Sequence, residues 1–350
     1  MGALYLTSAN PGAGKTGLAG ALASLAKSRG KQVGFFKPFS LGKQSAPAAG
    51  EDADSRFLKD LLGLSEPPEL LCPIALTTEA LSAPWDQAGL DLMSPIVASY
   101  EEASAGKDGM VIEGPSTQAE QVLRFSVLLA DSLNAKVILI ANYTWRMDLE
   151  KLGRMAMAYG GRSIGIIINK VPALCDRLAK TEVAPDLERR GIKVLGIIPE
   201  TRALLGVRVG ELAAHLKGRF LTCPEGDGEM IEHFMVGAMT LDNATAYFSR
   251  WENKAVITRG DRPDLQWAAL DTPTRCIVAT GNQEPIAYVI EKSKENGVPI
   301  IMVEQDTLHT MSAIEALTSR STVYYSEKVN ALTALLRQHC DVDSLVRTLV

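Results

Sequence analysis

The segment that most constrains this chain is residues 9–16, with the sequence ANPGAGKT. An apolar run precedes it and a helical pattern follows it, which is the strand–loop–helix context of a Walker A loop. Glycines let successive backbone N–H groups point into one concavity, and the N-terminus of the following helix favours anions. We therefore predict a nucleotide site whose contacts are Asn10, Gly12, Ala13, Gly14, Lys15, Thr16 and Gly17.

Two side chains of this phosphate loop carry the predicted chemistry. Lys15 is expected to reach the β- and γ-phosphates of ATP, and Thr16 to bind Mg²⁺. Ala9 stands where the consensus has its first glycine. The alternative interpretation is a chance glycine-rich turn before a helix, which the intact Gly-Lys-Thr sequence disfavours.

The first two hundred residues alternate short apolar runs with helical patterns. The runs are apolar throughout instead of alternating, as expected for strands buried on both faces of a parallel sheet. Strand–helix alternation with short connections predicts a doubly wound α/β sheet. The predicted strands are residues 3–7, 32–36, 109–113, 136–141, 163–169 and 193–198.

Around residues 200–228 the pattern changes to a helix and then to the Gly-, Pro- and Glu-containing stretch 223–229, and we predict a linker there, before a second, smaller α/β region. Apolar runs at 255–258, 276–279 and 299–303 alternate there with helical patterns, one of which should end at Gly297. The sequence therefore predicts a nucleotide-binding domain at 1–210, a second α/β domain at 211–325 and a helical C-terminal tail at 326–350.

The composition limits the kinds of partner that this protein is expected to bind. The formal net charge is −5 and no basic run stands out, so nucleic acid and anionic membranes are not expected as main partners. No stretch has the roughly 20 apolar residues of a membrane span, and the first residues lack the pattern of a signal peptide. Five scattered cysteines without a CxxC pair favour reduced thiols. A cytoplasmic protein is expected.

Carboxylates near strand ends could complete a Mg²⁺ site. Glu113 ends an apolar strand, where ligands meet parallel sheets. Asp54, or its neighbour Asp52, begins a predicted helix, so helix capping is an equal alternative to metal binding. Lys37 ends the second strand and would add positive charge beside a triphosphate or a carboxylate substrate, unless it is an ordinary solvated charge.

The fifth strand ends in Asn169-Lys170, the start of the guanine-binding pattern NKxD. Pro172 occupies the position of its aspartate, so guanine specificity is not supported. Asn169 could still bond an adenine edge, or it could simply be a polar residue that ends a strand.

Several of these segments together resemble a known family. Residues 9–16, 34–38, 111–114, 166–171 and 196–200 are similar to the dethiobiotin-synthetase-like P-loop fold, as found in the amino-terminal domain of long phosphotransacetylases. Residues 236–239 and 256–264 are similar to the DRTGG domain that follows it there. The resemblance covers about residues 1–320 and does not include the acetyltransferase domain.

This resemblance implies roles residue by residue. It implies phosphate and Mg²⁺ contacts for Lys15, Thr16, Asp54 and Glu113, a catalytic role for Lys37 beside the γ-phosphate, and adenine contacts for Asn169, Pro199 and Glu200. The substrate elements expected after Lys37 are replaced by the sequence FSLGKQ at 39–44, which puts diaminopelargonate recognition in doubt.

Two functions are therefore expected. The first is a Mg·ATP-binding protein that is regulatory or accessory to acetyl-phosphate and acetyl-CoA metabolism and is a homodimer by analogy. The alternative is an ATP-dependent carboxylate ligase resembling dethiobiotin or cobyrinic acid a,c-diamide synthase, with residues 39–51 lining the substrate pocket. In the second domain, the loops at 260–262, 280–281 and 306–307 are either a site for a small regulatory metabolite or plain turns and helix caps.

Overall fold

The computed structural model describes residues 1–42, 51–77, 85–117, 119–319 and 321–350. These residues form two compact units: a first unit of residues 1–200 with 323–350, and a second unit of residues 201–322.

Strands are numbered in chain order through both units. They are β1 (Gly2–Ser8), β2 (Val33–Phe36), β3 (Phe39–Gly42), β4 (Ile74–Thr77), β5 (Gly109–Ser116), β6 (Lys136–Asn142), β7 (Ser163–Val171), β8 (Val194–Pro199), β9 (Val207–Arg208), β10 (Arg219–Thr222), β11 (Met230–Ile231), β12 (His233–Val236), β13 (Lys254–Arg259), β14 (Thr274–Thr280) and β15 (Ile300–Met302).

The α-helices are numbered in the same way. They are α1 (Lys15–Lys27), α2 (Ala53–Leu62), α3 (Pro68–Leu71), α4 (Trp85–Ala103), α5 (Glu120–Ser132), α6 (Leu149–Ala158), α7 (Asp176–Leu178), α8 (Ala184–Arg189), α9 (Arg202–Leu205), α10 (Val209–His215), α11 (Leu241–Phe248), α12 (Pro263–Leu270), α13 (Ala287–Asn296), α14 (Thr307–Ser319), α15 (Ser326–His339) and α16 (Val342–Leu349).

The predicted parallel sheet of the first unit is confirmed. Within the described residues it has six strands in the order β2-β5-β1-β6-β7-β8, and every neighbouring pair is parallel. Side chains such as Leu4, Ile112 and Ile138 are fully buried, because helices cover both faces of the sheet. The carboxyl ends of β1, β5, β6 and β7 therefore meet along one edge.

A short parallel pair, β3 with β4, follows the second strand. The sequence did not predict these strands. Residues 43–50 of the expected substrate-pocket stretch lie outside the described residues.

The second unit contains a smaller sheet in the order β10-β15-β14-β13-β12. The pairs from β12 to β15 are parallel, whereas β10 runs antiparallel to β15. The stretch 200–228, predicted to hold a linker, instead belongs to the second unit from residue 201 onward; it contains the predicted helix as α10 and, in addition, the edge strand β10. The strand is only four residues long and adjoins the turn at 224–228, so its apolar pattern was too short to identify. The predicted helix end at Gly297 is confirmed, with φ of 65°.

The C-terminal residues are not a separate tail. Helix α15 contacts α1, and α16 contacts β1, so residues 323–350 belong to the first unit. Their apolar faces are buried, as Leu336 and Leu349 show. The unit boundaries also differ from the predicted boundary at 210/211, since residues 201–210 cluster with the second unit. Among the helices that the structure describes, none is long and apolar enough to cross a membrane.

Candidate functional site

The phosphate loop joins the central strand β1 to helix α1. Gly12 and Gly14 have φ of 68° and 91°, a left-handed conformation that suits glycine. Gly14 is also the N-cap of α1, which places Lys15 and Thr16 in the first helical turn. The loop thus has the turn and the helix N-terminus that the sequence predicted for binding phosphates.

Neighbouring strand ends hold the loop in place. Nδ2 of Asn169 donates to the carbonyl oxygen of Ala13 at 2.8 Å, and Nζ of Lys170 donates to that of Gly12, also at 2.8 Å. Nδ2 of Asn142 lies 3.5 Å from the same Gly12 oxygen. Asn169 was predicted as a base contact, and in the structure its amide supports the loop. The sequence analysis does not predict that Lys170 and Asn142 contact the phosphate loop, although both follow apolar runs that end at this edge.

Lys15 is held by two serines in the structure. Its Nζ donates to Oγ of Ser8 at 3.0 Å and to Oγ of Ser116 at 2.8 Å. Burial lowers the pKa of Lys15, Lys37 lowers it further, and Glu113 and Asp54 partly offset the effect. Hydrogen bonds from an ammonium to anionic oxygens are stronger than those to neutral hydroxyls, so the two serines offset the burial of this charge only in part. The serines were missed, yet they end the paired strands β1 and β5 in register.

Thr16 and Glu113 meet, as the metal-site hypothesis requires. Oγ1 of Thr16 donates to Oε1 of Glu113 at 3.2 Å. Oε2 of Glu113 is buried and has no hydrogen-bond partner among the described residues. Burial and the charge of Asp54 raise the pKa of Glu113 to about 7, although Lys37, Lys15 and Thr16 oppose the shift. An orphaned buried carboxylate oxygen is costly unless a cation or proton joins it.

Asp54 and Asp52 take different roles. Asp52 is the N-cap of α2 and accepts from the backbone N–H of Ser55 at 2.9 Å, so the capping alternative fits this residue. Asp54 does not cap the helix. Lys37 donates to Asp52 at 2.8 Å and to Asp54 at 2.6 Å. Burial opposes ionisation of Asp54, but Lys37, Tyr324 and Thr16 outweigh it and lower its pKa.

Lys37 therefore lies in the site but is paired. Burial alone would lower its pKa, yet the carboxylates of Glu113, Asp54 and Asp52 raise it above its usual value. Its charge is thus shared between two aspartates in the structure. Its predicted role beside a γ-phosphate stays a prediction.

Tyr324 completes the surroundings of Asp54 from far along the chain. Its hydroxyl donates to Oδ1 of Asp54 at 2.9 Å, and its ring lies 5.5 Å from that of Phe57, centroid to centroid. No local pattern in the sequence identified it, because 270 residues separate the two partners of the hydrogen bond.

The remaining predicted contacts lie at or near the same edge. Asn10 is exposed, and Pro199 pairs in register with Val171 at the end of β8. The backbone N–H of Glu200 donates to the carbonyl oxygen of Val171 at 2.8 Å. Gly17 is buried in α1. As nucleotide contacts, these residues stay predictions.

The donor set fits Mg²⁺ bound together with a nucleotide. The described residues hold no group of three or more His, Cys, Asp or Glu side chains close enough to bind a metal. Thr16, Glu113 and Asp54 offer a hydroxyl and two carboxylates, and Mg²⁺ usually binds through one or two carboxylates plus phosphate oxygens and water.

Comparison with known proteins identifies the family. A family model described as an AAA domain matches residues 2–207. The chain belongs to this family. A model described as a DRTGG domain matches residues 211–317. The predicted order of a P-loop domain and a DRTGG domain is therefore confirmed.

The curated relatives of this AAA–DRTGG chain are longer than it is. It is 24% identical to the phosphate acetyltransferase of Pseudomonas aeruginosa, over 99% of the chain and 52% of that protein. The corresponding enzyme of Pseudomonas putida is 24% identical over 97% of the chain and 51% of its own length. The chain thus spans about half the length of these relatives, and it is homologous to their N-terminal half. Among solved structures, the MinD cell division protein of Aquifex aeolicus is similar over 59% of this chain and 85% of the MinD chain, with 16% sequence identity and a TM-score of 0.38.

The predicted ligand loops of the DRTGG domain are internally paired. Arg259 pairs with Asp261, and Arg262 with Asp264. Asp306 accepts from the backbone N–H of His309 at 2.8 Å, as a helix cap does. The side-chain amide of the buried Gln266 donates to two backbone carbonyls, while its Oε1 has no partner among the described residues. These contacts fit the turn-and-cap alternative, and a metabolite site stays a prediction.

Proposed function

We propose that the AAA domain binds Mg·ATP at the phosphate loop, and that the protein is a regulatory or accessory component of acetyl-phosphate and acetyl-CoA metabolism. The observation that carries the first part is the contact between Thr16 and Glu113 beside a left-handed Gly14. It combines a phosphate-binding helix N-terminus with a buried carboxylate oxygen that lacks a partner among the described residues. The second part rests on the homology to phosphate acetyltransferases.

Each residue of the site has a defined task in this proposal. The backbone N–H groups around Gly12 and Gly14 would hold phosphate oxygens, and Lys15 would exchange its two serine acceptors for phosphate oxygens. Thr16, Glu113 and Asp54 would hold Mg²⁺. When bound, Mg²⁺ neutralises phosphate charge, as in other phosphoryl-binding sites.

Thermal melting tests the proposal directly. Mg·ATP at 100 times its dissociation constant should stabilise the protein by about 2.7 kcal/mol. We expect this stabilisation to be lost in Lys15→Ala and retained in Lys136→Ala, a control that removes a lysine bonded to the Gly161 carbonyl at the opposite end of the sheet. Parallel melts with Mg·GTP and Mg·ADP give the nucleotide preference. Equal melting of the unmodified protein with and without every nucleotide would refute the proposal.

Carboxylate ligation is the alternative candidate, and the pairing of Lys37 is the observation that bears on it. A ligase needs a free cation near the γ-phosphate for the substrate carboxylate, whereas Lys37 is bound by Asp52 and Asp54. Release of ADP from ATP should therefore not be stimulated by short dicarboxylates or amino acids. Stimulation that disappears in Lys37→Ala would favour the ligase instead.

A further inference from the structure

Tyr324 links the C-terminal segment of the first unit to the candidate metal site. It lies in the stretch that follows residues 201–322 in the chain and that clusters with residues 1–200. Its neighbour Val323 contacts α1: a methyl group of Val323 lies 3.1 Å from where a Cβ on Gly17 would be. The same short stretch thus touches Asp54 and the helical turn that carries Lys15 and Thr16.

Besides Thr16, two groups donate to the Asp54 carboxylate, one to each of its oxygens. Lys37 binds Oδ2 at 2.6 Å, and the Tyr324 hydroxyl binds Oδ1 at 2.9 Å. A single donor would leave the carboxylate free to rotate about its terminal bond, because that torsion is broad. With both donors in place the plane of the carboxylate is set. A carboxylate oxygen has two lone pairs, so a further ligand can join a donor that is already bound.

The tyrosine is suited to this task because it is neutral. Burial and the nearby charge of Asp54 raise the pKa of Tyr324 above its usual value, so its hydroxyl stays a donor. Its ring is held by Phe57, with an angle of 49° between the planes. A neutral donor orients the carboxylate without adding to the positive charge that Lys37 already brings to Asp54.

We infer that Tyr324 is a positioning residue of the nucleotide site, which holds Asp54 in the orientation that binds Mg²⁺. This inference rests on the proposed function. It makes the segment 323–350 part of the site, although this segment is more than three hundred residues from the phosphate loop in the sequence.

The test is a Mg²⁺ titration of the full chain at saturating ATP, followed by thermal melting. Tyr324→Phe removes the hydroxyl and keeps the ring on Phe57. We expect the Mg²⁺ concentration for half of the stabilisation to rise by about tenfold, as loss of outer-shell partners commonly does. Stabilisation by ATP in EDTA should not change. Tyr288→Phe is the matched control, since its ring is exposed and stacks on Trp267 in the second unit.

A double-mutant cycle separates positioning from general packing. If Tyr324 acts through Asp54, then Tyr324→Phe in an Asp54→Asn background should not raise the Mg²⁺ requirement further. An additive rise would overturn the inference, as would an unchanged requirement in Tyr324→Phe while Lys15→Ala abolishes ATP binding. If the unmodified protein shows no response to Mg·ATP at all, the proposed function and the inference both fail.

Discussion

In both sheets of this protein, acidic and basic side chains follow the carboxyl ends of parallel strands. The two edges differ in how far these charged side chains are exposed to solvent. In the first unit, Lys37 and Asp52 form an ion pair with side chains only 13% and 11% exposed. In the second, the paired Arg259 and Asp261 are 61% and 43% exposed.

The two edges also differ in whether their charged side chains have all their hydrogen-bond partners. At the first edge, burial raises the pKa of Glu113, and one of its oxygens lacks a partner among the described residues. At the second edge, arginines and aspartates two residues apart pair with each other in solvent, and Oε1 of Gln266, which has no partner among the described residues, belongs to an uncharged amide. By this criterion the first edge is the stronger candidate for a binding site.

The largest expected effect comes from breaking the buried ion pair. Lys37→Met leaves Asp52 and Asp54 without their cation, and removing one partner of a buried pair costs about 4 kcal/mol. The matched change Arg259→Met should cost less than about 0.5 kcal/mol, because exposed pairs contribute little. Hydrogen exchange resolved by peptides measures the opening free energy of β1–β5 and β13–β14 separately. Equal losses in the two sheets would contradict the comparison.

A smaller effect follows from the titration of Glu113. Its pKa is raised from 4.5 to about 7 in the folded protein, so the folded state keeps a proton that the unfolded state has already lost. The free energy of unfolding should therefore fall as the pH rises from about 5 to 7 and then level off, by at most about 3 kcal/mol. Exchange in β5 peptides from pH 5 to 8 should show this slope, and Glu113→Gln should remove it.

Two carboxyls of lowered pKa provide the control for that slope. Lys37 lowers the pKa of Asp54 despite burial. The stabilisation from ionised Asp54 is therefore lost only when the pH falls below 3.8, the ordinary pKa of this carboxyl group. Hydrogen bonding to Arg262 lowers the pKa of Asp264 in the second unit in the same sense. Asp264→Asn should thus leave the behaviour between pH 5 and 8 unchanged. A slope that survives Glu113→Gln would assign it to another group.

The sequence predicted the parts of this fold that depend on local pattern. Buried apolar runs gave the six parallel strands, and glycine spacing gave the phosphate loop with Lys15 and Thr16. Glu113 could be predicted because a strand end places its side chain at the ligand edge. The sequence could not show whether Asp52 or Asp54 caps helix α2. The structure shows that Asp52 is the N-cap, which leaves Asp54 free of that role.

Features that depend on distant contacts were out of reach. Tyr324 joins the site through the packing of α15 on α1, which no local spacing encodes. The edge strand β10 has four residues and gains its pairing from β15, about eighty residues later. Asn169 was correctly placed at a strand end, but whether its amide supports the loop or contacts a base depends on the position of Ala13.

The smallest difference in stability is expected between alanine substitutions at two glycines that have positive φ. A Cβ on Gly14 (φ 91°) would lie 2.6 Å from Nδ2 of Asn169, whereas a Cβ on Gly281 (φ 82°) would meet nothing within 4 Å. Gly281→Ala should therefore cost about 1 kcal/mol, from left-handed strain alone. Gly14→Ala should cost about 2 kcal/mol, since it also displaces the amide that holds Ala13, and it should abolish stabilisation by Mg·ATP.

An Asn169→Ala background separates strain from displacement at Gly14. With the amide already removed, the further change Gly14→Ala should cost only the conformational strain, as at Gly281. Urea unfolding of the four variants in this cycle measures the coupling. A full additional loss in the Asn169→Ala background would show that the loop depends on the backbone of Gly14 itself, and that its support from β7 contributes little.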